Sequence, residues 1–194
     1  MTRTASIQRK TLETDVNISI DLDGNGEVSV ATGVGFYDHM LTAFGHHGLF
    51  DLTIRTEGDL HVDEHHTVED TALVLGTAIG EALGDRSGIR RYGTATIPMD
   101  EAVAAAVIDV GGRPYAVIDL PFTTDRLGTL GTQMIPHALE AFARTAGCTL
   151  HLSASGANDH HIAEAAFKAL AYAVRTAVEI DPRRSGLAST KGTT

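Results

Sequence analysis

An internal repeat is the feature that most constrains how this chain can fold. The motif His-His-x-x-Glu occurs at residues 65–69 and again at residues 160–164, and each copy opens an apolar run with helical spacing. Two stretches upstream of the first motif recur in the same order upstream of the second: residues 38–44 match 136–142, and residues 52–54 match 150–152. The sequence therefore predicts two similar halves of one compact domain, residues 1–92 and residues 93–194, the second carrying a C-terminal tail.

Both halves have the same expected order of elements. Residues 16–20 and 28–30 alternate between apolar and polar positions on either side of a glycine-containing turn at 23–26, a pattern typical of a β-hairpin. Apolar spacing predicts helices over 36–46, 65–83, 133–145 and 159–178, and further strands over 50–55, 95–99, 103–110, 115–120 and 149–153. The expected fold class is α+β, an internal duplication of two β-β-β-α-β-α units. Each unit is a sheet with helices packed on one face, and the units pack helix side to helix side.

Composition and charge exclude several classes of protein. Of the 194 residues, 43% are hydrophobic and 21% are charged, as in ordinary globular domains. The formal net charge of −10 argues against general binding to nucleic acid or to anionic membranes, because both require a basic surface. No apolar run could cross a bilayer, residues 1–15 lack the apolar part of a secretory signal, and the single cysteine, Cys148, leaves no internal disulfide. A cytoplasmic protein without nucleic-acid or membrane partners is expected.

The repeated motif has the geometry of a metal-binding helix. At about 100° per residue, the first histidine and the glutamate four residues later share one helix face, while the second histidine points about 100° away. One motif can therefore hold one ion with two ligands and offer a third ligand to another ion. For a single motif, a solvated helix surface would be the commoner interpretation, and the duplication favours metal. The expected ligand sets are His65, Glu69 and His161 for one ion, and His160, Glu164 and His66 for the other.

Two further histidines are matched by the repeat. His39 and His137 occupy equivalent positions on the shorter helices, and the sequence leaves open which ion each completes. Each ion would then have three histidines and one glutamate, a donor set that suits manganese, iron, zinc or cobalt better than magnesium or calcium. Because manganese commonly takes six ligands, coordination positions remain open, as in catalytic sites.

Two functions, metal storage and hydrolysis, would fit a dinuclear site of this kind. A non-catalytic metal-binding or storage protein would hold the ions in closed sites and would need no basic cluster nearby. A dinuclear metallohydrolase acting on a phosphorylated substrate usually has aspartate-rich bridging ligands, which are absent from these motifs.

The chain also resembles a known family from end to end. The stretches that carry the likeness are residues 36–41, 47–48, 63–70, 98–102, 112–114 and 189–192. Together they are similar to imidazoleglycerol-phosphate dehydratase of histidine biosynthesis. Two positions depart from the family pattern: Gly35 stands where a proline is expected, and Glu64 where an aspartate is usual. Neither position is an expected ligand.

The resemblance implies a reaction, a cofactor and an assembly. The reaction is dehydration of D-erythro-1-(imidazol-4-yl)glycerol 3-phosphate to 3-(imidazol-4-yl)-2-oxopropyl phosphate, through an imidazolate bound to two Mn²⁺ ions per active site. The assembly is a large homo-oligomer, a twenty-four-subunit shell with active sites between chains.

The resemblance also implies roles for individual residues. Glu13 is the expected proton-transferring group, and His47 an expected substrate contact. The expected phosphate ligands are Arg91, Arg113, Lys168, Ser189 and Lys191. Lys168 also lies one helical turn after Glu164, so helix geometry places it near the metal motif.

Overall fold

The chain consists of two four-stranded sheets with four helices between them. The computed structural model describes residues 3–192. The first half contains β1 (Thr4–Lys10), β2 (Thr14–Asp21), β3 (Val28–Ala31), α1 (Gly35–Gly48), β4 (Asp51–Gly58) and α2 (His65–Leu83). The second half contains β5 (Tyr92–Met99), β6 (Ala102–Asp109), β7 (Tyr115–Asp119), β8 (Arg126–Leu127), β9 (Leu130–Gly131), α3 (Met134–Ala146), β10 (Thr149–Ser155) and α4 (Asp159–Val178).

The two sheets have the same topology, which confirms the predicted duplication. The strand order is β1-β2-β4-β3 in the first sheet and β5-β6-β10-β7 in the second. In each sheet the first three strands pair antiparallel to one another, and the fourth strand runs parallel to the third. Helices α2 and α4 cover the inner faces of the first and second sheet, and α2 packs on α3 while α1 packs on α4. The expected fold class, with two units packed helix side to helix side, is therefore confirmed.

The predicted hairpin between residues 16–20 and 28–30 is wrong. Strand β2 pairs with β1 and β4, whereas β3 lies beyond β4 and is parallel to it, as expected for two strands joined through helix α1. The glycine-containing loop does not reverse the chain into a hairpin, because the Asp51 carboxylate at the start of β4 accepts hydrogen bonds from the amides of Asn25 and Glu27. Strand β1, which was not predicted, is the antiparallel partner of β2.

A continuous apolar core joins the two halves. Alternate residues of the central strands point towards the helices, among them Ile18 of β2, Ile54 of β4 and Ile108 of β6. Helix α4 packs on β5 and β6, and many of the residues that it buries are alanines, whose small side chains permit close approach. None of the described helices is long and apolar enough to cross a membrane.

The small hairpin of β8 and β9 belongs to the second half alone. It has no counterpart among the described elements of the first half. The amide of Gly131 in β9 donates a 2.9 Å hydrogen bond to Glu64, the residue before α2, and Arg126 of β8 pairs with the same carboxylate at 3.3 Å. The hairpin therefore ties the first turn of α2, where the first metal motif begins, to the second half of the chain.

Substitution of Gly93 with alanine should destabilise the second half. A Cβ atom at this position would lie 1.9 Å from the carbonyl oxygen of Ala173, so α4 would have to move away from β5. Overpacking of this kind costs on the order of 1–3 kcal/mol. We expect the free energy of unfolding, measured by denaturant titration, to fall by that amount in Gly93→Ala. Gly35→Ala is the matched control, because no atom lies within 4 Å of its added Cβ. Equal stability of the two variants would contradict the prediction.

Candidate metal centre

The first candidate metal cluster contains His39, His160 and Glu164. The Nε2 atoms of His39 and His160 lie 3.2 Å and 3.1 Å from the Oε2 atom of Glu164. Helix α1 supplies His39, and the first turn and a half of α4 supplies the other two ligands. Helix α4 begins here because the side chain of Asn158 accepts a hydrogen bond from the amide of His160.

The second cluster contains His65, Glu69 and His137. The Nε2 atoms of His65 and His137 lie 3.7 Å and 3.5 Å from the carboxylate of Glu69, and the imidazole centroids of His65 and His137 are 4.9 Å apart. Helix α2 supplies the motif residues and α3 supplies His137. In both clusters, the candidate ligand atoms lie within 4.8 Å of one another.

The two clusters show beside which motif His39 and His137 each lie. His39 of the first half joins the motif of the second half, and His137 of the second half joins the motif of the first half. The exchange follows from helix packing, because α1 lies against α4 and α3 lies against α2. Each cluster is therefore assembled from both halves of the chain.

The residues of both clusters fit a transition-metal ion. Two imidazole nitrogens and one carboxylate oxygen are the donors that manganese, iron, cobalt and zinc accept. The Nε2 atom of His137 is buried and has no hydrogen-bond partner in residues 3–192, which is costly unless the atom binds something else. Burial opposes the ionisation of Glu164, but the Lys168 ammonium, 2.7 Å away, and His39 outweigh it and lower the pKa of Glu164 to about 2. Glu164 is thus an anion and can act as a ligand.

The second histidine of each motif lies outside these clusters. The Nδ1–H group of His66 donates to Asp59 at 3.0 Å, and that of His161 donates to Glu101 at 2.8 Å. Each hydrogen bond raises the pKa of its histidine, and the bond from His161 is the main cause that lowers the pKa of Glu101 to about 2. Within the described chain, neither His66 nor His161 joins the opposite motif. The expected sharing of these two histidines therefore requires a neighbouring copy and stays a prediction.

Glu13 lies in the turn between β1 and β2, close to the first motif. Its carboxylate is half exposed and its Oε1 atom is 3.8 Å from Nε2 of His66. The hydroxyl of Thr11 accepts hydrogen bonds from the amides of Glu13 and Thr14, and the Thr14 hydroxyl donates to Asp70 at 2.5 Å. The turn is thus fixed to helix α2, which holds Glu13 beside the metal motif.

Most of the expected phosphate ligands line one cleft. Arg91, Arg113, Ser189 and Lys191 face the same space at the start of β5. Arg91 binds both oxygens of Asp109 at 2.7 and 2.9 Å, and it donates to the carbonyl oxygen of Ala188 at 2.6 Å, which fastens the C-terminal tail. The side chain of Arg113 is 76% exposed, and its guanidinium lies 3.7 Å from the Asp109 carboxylate.

Lys168 and His47 lie elsewhere in the chain. Lys168 is paired with Glu164 in the first metal cluster and does not line the cleft. His47, in the last turn of α1, lies with its ring centroid 6.1 Å from that of Tyr172. Partial burial and the nearby Lys168 ammonium lower the pKa of His47, so a neutral imidazole is favoured there.

Two acidic residues beside the motifs were not identified from the sequence. Asp59 follows β4, and Glu101 lies in the turn between β5 and β6. Alignment of the repeats gives a signal for Glu101, because it immediately precedes β6 as Glu13 immediately precedes β2. Asp59 lies in a polar loop, and the sequence offers no sign that it contacts His66.

Comparisons with known proteins identify the family. The family model described as imidazoleglycerol-phosphate dehydratase matches residues 32–174. Proteins of that name from Acidiphilium cryptum and Frankia casuarinae are 55% and 54% identical, each over 99% of both chains.

The crystal structure of the dehydratase from Staphylococcus aureus has a TM-score of 0.83 and 36% identity, covering 92% of this chain and 99% of its own. The crystal structure of the Pyrococcus furiosus protein, in complex with (S)-C348, has a TM-score of 0.83 and 34% identity, with 97% and 100% coverage. The chain therefore belongs to the imidazoleglycerol-phosphate dehydratase family of hydro-lyases.

Proposed function

We propose that the chain removes water from D-erythro-1-(imidazol-4-yl)glycerol 3-phosphate and forms 3-(imidazol-4-yl)-2-oxopropyl phosphate, a step of histidine biosynthesis. The observation that carries the proposal is the pair of clusters, each with two imidazoles and one carboxylate gathered from both halves of the chain. Family membership identifies the reaction that such a pair serves. The substrate is a small imidazole phosphate, and the proposed location is the cytoplasm.

Two Mn²⁺ ions per active site are the proposed cofactor. His39, His160 and Glu164 would hold one ion, and His65, Glu69 and His137 the other. Bound there, divalent ions supply Lewis-acid stabilisation of negative charge on the imidazole ring of the substrate. The buried Nε2 atom of His137, which has no hydrogen-bond partner in the described residues, supports this assignment.

Neighbouring copies of the chain would complete each ion's ligand set. Three protein ligands per cluster fall short of the six that manganese commonly takes, and the Nε2 atoms of His66 and His161 make no hydrogen bond in the described chain. In the proposed assembly, these free Nε2 atoms would bind the ions of another copy. This geometry supports a large homo-oligomer with active sites between chains, twenty-four subunits being the size that the family resemblance implies.

The basic cleft is the proposed binding site for the substrate phosphate. Guanidinium groups bind phosphate oxygens in pairs, and Arg113 is exposed enough to do so. Arg91 is already occupied by Asp109, so it contributes positive charge and anchors the tail that carries Ser189 and Lys191. We expect the tail to order further over bound substrate. Lys168 and His47 would contact the substrate from the side of the first metal cluster.

Glu13 is the proposed proton-transferring group. The hydroxyl next to the imidazole ring leaves and takes up one proton to become water, while the Glu13 carboxylate takes one proton from the neighbouring carbon. The electron pair of that broken C–H bond forms the C=C bond of the enol as the C–O bond breaks. The enol becomes the ketone when its hydroxyl loses a proton and the carbon next to the ring gains one. Half exposure and attachment to α2 through Thr14 and Asp70 suit a carboxylate that must meet substrate at a fixed position.

Turnover of imidazoleglycerol phosphate tests the proposed function directly. We expect manganese-loaded protein to bind two ions per chain by elemental analysis and to form product that absorbs in the ultraviolet as the enol or ketone. Protein stripped with a chelator is the control, and manganese should restore its activity. Tight retention of metal without turnover would favour a storage protein and would refute a dehydratase.

Glu13→Gln should abolish turnover and leave metal content unchanged. The amide keeps the size of the side chain but cannot accept the substrate proton, and loss of a general base costs about 100- to 10,000-fold in rate. Steady-state kinetics and elemental analysis measure the two effects. Glu57→Gln is the matched control, because Glu57 is exposed and pairs only with Arg55 in the described chain. A near-normal rate in Glu13→Gln would remove the assigned role.

Removal of the metal should weaken assembly. If His66 and His161 bind ions in neighbouring copies, removal of the ions breaks these metal–ligand bonds between chains. The interface between copies is then weaker. We expect a smaller sedimentation coefficient after chelation and recovery when manganese is added. A chelator saturated with manganese beforehand controls for its direct effects. An unchanged sedimentation coefficient in fully metal-free protein would contradict the prediction.

A further inference from the structure

Both histidines that lie outside the clusters have the same kind of anchor. The Nδ1 atom of His66 is 3.0 Å from Asp59, and that of His161 is 2.8 Å from Glu101. An ionised carboxylate only accepts hydrogen bonds, so each histidine must carry a proton on Nδ1. The Nε2 atoms are correspondingly left free: their nearest acids, Glu13 and Asp100, lie beyond hydrogen-bond range at 3.8 and 3.9 Å.

We propose that Asp59 and Glu101 are positioning residues that select the metal-binding nitrogen of His66 and His161. Each carboxylate holds its ring in the Nδ1–H tautomer and leaves the Nε2 lone pair free to bind an ion, which in the proposed function belongs to a neighbouring copy. The inference rests on the proposed function, in which these two histidines are ligands. Carboxylates that bind the far nitrogen of a ligating histidine fix its orientation and increase its basicity.

The two anchors are not equivalent in the repeat. Glu101 immediately precedes β6, and the corresponding residue before β2 is Glu13, since both strands are second in sheets of identical order. Glu101 is fixed to His161, whereas Glu13 is half exposed on the Nε2 side of His66. In the first half the anchoring role belongs instead to Asp59, from the loop after β4. Because Asp59 takes the anchoring role, Glu13 stays available to substrate. The two acids at equivalent positions of the repeat, Glu13 and Glu101, therefore have different roles.

The two carboxylates also differ in what their second oxygen does. The Oε1 atom of Glu101 accepts hydrogen bonds from the amides of Asn158 at 2.8 Å and Ala157 at 3.2 Å, while Oε2 accepts from His161. The Oδ1 atom of Asp59 is buried and has no hydrogen-bond partner in residues 3–192. Glu101 is therefore fixed in one orientation, whereas the two ends of Asp59 could be exchanged without loss of a bond.

This difference makes substitution by the amide informative. In Glu101→Gln the backbone amides keep the carbonyl oxygen, so the side-chain NH₂ must face Nδ1 of His161. Nδ1 then has to accept, and the proton moves to Nε2 and blocks the metal-binding atom. In Asp59→Asn the amide can turn its oxygen to His66 and keep the native tautomer. Asp59→Ala removes the acceptor altogether.

Metal binding to the assembled protein tests the proposal. We expect wild type, Asp59→Asn and the control Glu57→Gln to bind two manganese ions per chain with similar affinity. Glu101→Gln and Asp59→Ala should each bind one of the two ions about 10- to 100-fold more weakly, the usual effect of losing such a partner. Calorimetric titration and elemental analysis give affinity and stoichiometry, and circular dichroism verifies folding.

The outcomes separate this inference from the function on which it rests. Wild-type affinity for both ions in Glu101→Gln and Asp59→Ala would overturn the positioning role, even if the enzyme turns over substrate. Equal losses in Asp59→Asn and Asp59→Ala would also overturn it, because tautomer selection requires them to differ. Absence of bound ions in the wild type would instead refute the proposed function. If Glu101→Gln fails to fold, the two Asp59 variants still decide the question.

Discussion

The packing of helices from opposite halves is the constraint on which the candidate site depends. Each motif supplies a histidine and a glutamate one helical turn apart, but the third ligand comes from a helix of the other half. Neither half can form a cluster alone. The alanine-rich side of α4 and the absence of a side chain at Gly93 bring α4 close to its sheet, and this placement sets the position from which His160 and Glu164 meet His39. The close packing of α4 on its sheet is therefore also needed for the geometry of the first cluster.

Much of the fold could be predicted because its signals are local. Helix α4 has the predicted bounds, since Asn158 caps its first turn and apolar residues recur throughout it. Strand partners are not encoded locally: alternation identified β2 and β3, but it could not reveal that β4 inserts between them. Strand β1 was not predicted because it is an edge strand with mostly exposed side chains. The same division applies to the site, where the donor types of the motifs were predictable but the partners of His39 and His137 depended on tertiary packing.

The two clusters are similar in donors but differ in their surroundings. Glu164 is nearly buried and has a lysine on its own helix, 2.7 Å away. Glu69 is more exposed, and its nearest cation is Arg144 of α3, at 3.4 Å. The ammonium 2.7 Å from the less exposed Glu164 interacts with its carboxylate more strongly than the guanidinium 3.4 Å from Glu69 does. The electrostatic surroundings of the two clusters therefore differ, although the duplication made their donors alike.

The attachment of Glu13 to helix α2 links the candidate acid to a candidate metal cluster within one chain. Asp70 follows the candidate ligand Glu69 and is nearly buried, where it accepts a hydrogen bond from Thr14 and pairs with Arg9, each at 2.5 Å. A buried carboxylate with two such partners is costly to displace, so the β1–β2 turn moves with the first turns of α2. Within the chain, Glu13 therefore keeps its position beside His66, because the turn that carries it is tied to the same helix that carries the histidine.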